Sequence, residues 1–227
     1  VKFTGGTGAD TVTVGATTKA ITMGAGDDTV IYTAAAGTGG SVDAGAGKDT
    51  ISMTSALITS NIVTDGTGIF NNTFKNFEVL EVSTAGTSIV IDVEKINNVS
   101  TVVLAAALTT STINNLANNS TVKFIADGVS LTANVKNSAG NTDVLNVELE
   151  GNATVNAGSL TVGSVETINI ISNDTATTPT SIAHALNLRA DDATSIVVTG
   201  DAGVDFTGTA AAKVTNFDAS AVTAGSV

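Results

Sequence analysis

Three short stretches of this chain place glycines and a carboxylate in one fixed order. Residues 5–13 read GGTGADTVT, residues 23–31 read MGAGDDTVI and residues 44–52 read AGAGKDTIS, so each carries Gly-x-Gly-x-Asp-Thr-(Val/Ile). The chemistry these residue types can do together is hard-cation binding. Glycine reaches backbone angles closed to other residues, so a Gly-x-Gly turn can aim its carbonyl oxygens inward. The aspartate adds carboxylate oxygen, and calcium takes about six to eight oxygen ligands. The candidate metal ligands are Gly6, Gly8 and Asp10, then Gly24, Gly26, Asp27 and Asp28, then Gly45, Gly47 and Asp49. Lys48 opposes an ion in the third stretch, and Asp43 just upstream is placed to offset it. A looser copy at residues 200–206, GDAGVDF, keeps Gly203 and Asp205 in the spacing of Gly8 and Asp10 and adds Asp201 as a candidate.

One such cluster reads as an ordinary turn between strands. Three in register read as a column. Gly6, Gly24 and Gly45 are 18 and 21 residues apart, and a further step of 21 reaches Gly66, where Phe70 stands in place of the aspartate. Stacked coils would set Asp10, Asp28 and Asp49 one above the next, a repelling series that a divalent ion between coils would hold together. Metal binding and folding would then be one equilibrium. The Thr-(Val/Ile) pairs that follow are short strands, with Val12, Val30 and Ile51 facing the core.

A step of 18 is two units of nine. The stretches resemble the Gly-Gly-x-Gly-x-Asp-x-U-x nonapeptide of the calcium-binding RTX proteins, where U is a large apolar residue. The resemblance implies a parallel β-roll in which each nonapeptide is half a coil. The intervening half-coils, such as residues 14–22, VGATTKAIT, have lost the motif, which implies one calcium-lined column. The steps of 21 imply three extra residues in a loop.

Beyond about residue 58 the texture changes. Residues 74–92, 144–150 and 159–171 alternate apolar and polar, the period of half-buried strands. Apolar runs recur about every 20–25 residues, which fits a solenoid or stacked β-layers and leaves a β-sandwich open. Residues 92–97 and 113–118 have helical character. The fold class expected is all-β: an RTX-like parallel β-roll over residues 1–58 continuing into a β-solenoid of short strands over residues 59–227. Three phrases are similar to stretches of RTX-type bacterial surface-layer proteins: FKNFEVLEV at 74–82, VETINI at 165–170 and VTNFDASAVTAG at 214–225.

Composition limits the function classes. The 227 residues hold 21 acidic and nine basic side chains, a formal net charge of −12, which opposes nucleic acid and anionic membranes and suits a cation. Apolar residues make up 42%, too many for a disordered acidic chain, and no run is long enough to cross a membrane as a helix. There is no cysteine, so disulfides and thiolate metal sites are excluded. The chain opens on Val1 without an initiator Met or a basic leader, which reads as a fragment or a mature region.

No catalytic constellation is expected. His184, the only histidine, lies among apolar neighbours without a nucleophile motif. Glu148 and Glu150 share one face of a strand, but a sugar cleft needs aromatics, and these are 4% of the chain with no Trp. The resemblance implies a non-enzymatic segment of a secreted surface layer, exported by type I secretion, with Ca2+ as cofactor. Its partners would be further copies of itself in a lattice and surface polysaccharide contacted outside this chain, with neither nucleic acid nor membrane insertion. An adhesin module and the calcium-binding accessory domain of a secreted enzyme are the alternatives.

Overall fold

The computed structural model describes residues 2–63, 68–128, 130–178 and 181–227. Its chain winds as a parallel β-solenoid. Ten strands form one long sheet that takes one strand from each coil, from Thr11–Val14 to Asn216–Val222. The other side of the coils carries a four-stranded sheet, starting at Phe3–Thr4, and a six-stranded sheet, ending at Gly203–Ala210, with a two-stranded piece formed by Gly86–Thr87 and Leu108–Thr109. Among the described residues every strand pairing is parallel. A parallel strand can reach its neighbour only through a crossover, and here that crossover is the rest of the coil.

The apolar residue of each strand stacks on that of the next. Val12, Val30, Ile51, Leu80, Val102, Val122, Val147, Ile170 and Val198 are successive register partners. From Val30 onward they are fully buried, while Val12, in the first coil, is partly covered. Branched side chains suit this pleated, crowded column. The expected inward direction of Val12, Val30 and Ile51 is therefore the observed one.

Register also gives the coil lengths. Thr11, Thr29 and Thr50 are partners at the expected steps of 18 and 21, and the three extra residues lie in the loop of residues 33–40, against residues 15–19 in the coil before. Later steps run from 20 to 29 residues, wider than the expected 20–25. The longest, from Thr50 to Val79, contains an insertion: a helix at Ser55–Ile58 capped by the Thr54 hydroxyl, a π-helix at Thr59–Val63 and a helix at Ile69–Thr73. Ile58, Ile62 and Phe70 of this insertion are buried, and Phe70 stacks on Phe74 with their ring centres 4.9 Å apart. The expected fourth glycine, Gly66, lies outside the described residues.

Two helical expectations resolve differently. Residues 92–97 hold a short 3-10 turn, Val93–Lys95, in which the Asp92 carboxylate accepts the Glu94 N–H. Residues 113–118 are not helical: 113–116 belong to the strand Ser111–Leu116, and 117–118 lead out of it. Asn115 adopts φ 63° there and the strand bulges, so that Ile113 and Leu116 both reach the core despite their helix-like spacing. The long sheet itself runs unbroken past residue 58; what changes there is the kind of turn that feeds it.

Candidate functional site

The three Gly-x-Gly-x-Asp turns stack at one corner of the solenoid, where the chain enters the long sheet. Gly24, Gly26, Gly45 and Gly47 hold φ between 103° and 152°, a region closed to most side chains. The turns also touch from coil to coil: Ala25 N–H donates to Gly6 O at 2.9 Å, and Ala46 N–H to Gly24 O at 3.0 Å. A methyl group on Gly45 would lie 2.0 Å from Gly24 O, and one on Gly47 would lie 2.1 Å from Gly26 O. A methyl on Gly6 or Gly8, in the first coil, would meet no described atom within 4 Å.

The aspartates form a ladder of their own. The N–H of Asp10 donates to Asp28 Oδ1 at 2.8 Å, that of Asp28 to Asp49 Oδ1 at 2.8 Å, and that of Asp49 to Glu78 Oε2 at 2.9 Å. In return, Thr29, Thr50 and Val79 N–H donate to the carbonyls of Asp10, Asp28 and Asp49. Each carboxylate thus satisfies a corner N–H of the coil before it, a group that would otherwise be stranded. Only one oxygen is used. Asp28 and Asp49 are 1% and 0% exposed, and the Oδ2 atom of each has no hydrogen-bond partner among the described residues. Burial raises the Asp49 carboxyl above the ordinary carboxylate range; the Asp28 N–H pulls the other way, and the charges of Glu78, Asp28 and Asp27 add to the rise.

The remaining candidates sit around or away from this ladder. Asp10 ends it, half-buried, with Oδ2 3.4 Å from Gly6 N. Asp27 is exposed and accepts the Lys48 N–H at 2.8 Å. Asp43 lies at the other end of its turn, in the four-stranded sheet, where it accepts from Asn76 Nδ2 at 2.7 Å. Asp201 belongs to a different corner, past the end of the strand Ser195–Gly200, and accepts the Asp174 N–H at 2.8 Å. Asp205 is exposed on the strand Gly203–Ala210. The structure therefore brings together Asp10, Asp28 and Asp49 with their glycines, and leaves Asp43, Asp201 and Asp205 outside that column.

Glu78 was not among the residues the motif singles out, although it completes the ladder. Its signal was present in the apolar-Glu-x-Leu strand FEVL, but the 29-residue step hides its register with Asp49. His184 is fully buried: Nδ1 accepts the Val155 N–H at 2.9 Å, which leaves Nε2 to donate to Asn173 O, also at 2.9 Å. Glu148 and Glu150 pair with Lys123 Nζ at 3.1 and 2.7 Å on the outer face of the long sheet.

Two unpartnered carboxylate oxygens in successive coils fit a hard divalent ion, which takes carboxylate and carbonyl oxygens as ligands. Among the described residues no three Asp, Glu or His side chains converge on one point. Such an ion would accordingly take Asp28 and Asp49 as its charged ligands and main-chain carbonyls of the glycine turns for others. No protein-family model and no curated protein matches the chain.

Proposed function

We propose that this chain is a non-enzymatic structural segment of a secreted, calcium-dependent bacterial surface layer, in which calcium at the glycine–aspartate corner stabilises the coils and so their assembly. The observation that carries the reading is the buried, half-satisfied pair Asp28 and Asp49 beneath in-register glycine turns. A carboxylate buried without a counter-charge is costly, and a cation shared between coils removes that cost. The resemblance of the turns to the RTX nonapeptide supplies the choice of calcium and the extracellular setting.

The test is thermal unfolding and light scattering of the purified chain in calcium and in excess EGTA. Calcium should raise the melting temperature and promote assemblies. Identical melting and scattering in both buffers would overturn the reading.

A further inference from the structure

Among the described residues, four buried side-chain atoms lack a hydrogen-bond partner: Asp28 Oδ2, Asp49 Oδ2, Ser120 Oγ and Asp143 Oδ2. All four lie along the corner that leads into the long sheet, and two of them are far from any Gly-x-Gly turn. Their arrangement is not random, because the bonds that join Asp143 to Glu166 repeat those that join Asp49 to Glu78.

In the first set, Asp49 N–H donates to Glu78 Oε2 at 2.9 Å, while Glu78 and Val79 N–H donate back to Asp49 O at 3.1 and 2.9 Å. In the second, Asp143 N–H donates to Glu166 Oε2 at 3.0 Å, while Glu166 and Thr167 N–H donate back to Asp143 O at 3.1 and 3.0 Å. The next coil continues the match. Ser100 and Thr101 N–H reach Glu78 O, and Thr194 and Ser195 N–H reach Glu166 O, with the Ser100 and Thr194 hydroxyls on the same carbonyls. Each acid stands two residues before an inward apolar side chain: Ile51 and Leu80 in one set, Leu145 and Ile168 in the other, all fully buried. The two glutamates come from the phrases FEVL and VETI, whose likeness had no physical reading until their register was known.

Asp143 is 8% exposed, and its unpartnered Oδ2 faces the turn before it, where a methyl on Gly140 would stand 3.3 Å away. We propose that Asp143, with Glu166 of the next coil, forms a second divalent-cation site, of the calcium class, in the middle of the solenoid. The proposal rests on the reading that the unpaired ladder oxygens hold a cation, and extends it to a corner that no glycine repeat marks. With two carboxylates the site belongs to the weak class of extracellular calcium modules, with dissociation constants of about 0.1–1 mM.

The experiment is calorimetric titration of the 227-residue chain with calcium chloride, alongside Asp143→Asn and the double variant Asp28→Asn/Asp49→Asn. Asparagine keeps the side-chain carbonyl and removes the charge. Asp143→Asn should lose one set of calcium sites and keep the heat that the double variant loses. Glu166→Gln, whose amide oxygen can still accept the Asp143 N–H, serves as the second variant should Asp143→Asn fail to fold; it should weaken that same set by about tenfold or more through its lost charge. Unchanged stoichiometry and affinity in these variants, with binding abolished in the double variant, would overturn the second site and leave the first. Absence of calcium binding by the unaltered chain would overturn both.

Discussion

The main-chain N–H of Asp28 donates to Oδ1 of Asp49, one coil and 21 residues further on, at 2.8 Å, while Asp49 Oδ2 has no donor among the described residues. The two oxygens of one carboxylate thus have separate roles, and substitutions can part them. Asp49→Asn keeps an acceptor for the Asp28 N–H and removes the charge. In EGTA this variant should melt at or above the unaltered chain, and calcium should raise its melting temperature less. Asp49→Ala strands the Asp28 N–H as well and should cost about 1–3 kcal/mol in either buffer. Thermal melts of the three proteins with and without calcium check both outcomes.

The glycines of the motif are not equivalent. Gly45 has φ 103°, and a methyl there would meet Gly24 O at 2.0 Å, whereas a methyl on Gly8 would meet no described atom within 4 Å. Gly45→Ala should therefore destabilise by about 1–3 kcal/mol from backbone strain alone, with the steric clash in addition. Gly8→Ala should be close to neutral. Urea unfolding monitored by far-UV circular dichroism separates the two, and equal losses would contradict the stacking of the turns.

His184 serves the main chain on both sides. His184→Leu leaves the Val155 N–H and the Asn173 carbonyl without their partners in the interior, at about 1–3 kcal/mol for each group. The expected result is a large drop in the urea midpoint with calcium binding retained. A change within experimental error would mean that neither bond contributes.

Tyr32, the only tyrosine, is 2% exposed and packs edge-on against Phe70 and Phe74. Burial pushes its hydroxyl up from 10.0 to about 12. For an acid with a raised pKa, the unfolded form ionises first. This contribution to stability is complete below pH 10 and is lost as pH climbs from 10 toward 12. Phenolate absorbance of the folded chain should therefore rise only near pH 12, and unfolding in urea should return the midpoint to about 10.

The legible part of this molecule was its locally repeated part. Gly6, Gly24 and Gly45, with Asp10, Asp28 and Asp49, recur in constant order at nearly constant steps, so coil length and the inward side chains Val30 and Ile51 followed from spacing. After the third glycine turn the coils vary in length, as with the helices Ser55–Ile58 and Ile69–Thr73, and spacing stops reporting register. For that reason the pairing of Asp49 with Glu78, across 29 residues, and of Asp143 with Glu166, across 23, appeared only in three dimensions. The bulge at Asn115 misled for a related reason: one left-handed residue shifts a strand by a step and imitates helical periodicity.

The corner bonds have a direction. In the ladder from Asp10 to Glu78, the N–H of each residue waits for a carboxylate that occurs later in the chain. A ribosome delivers the amino end first, so during synthesis the newest layer here always has an unanswered donor until its successor arrives. Growth is self-templating in that sense, with every finished layer offering the next a docking cue. Loosening should likewise spread most readily from whichever layer has lost its successor.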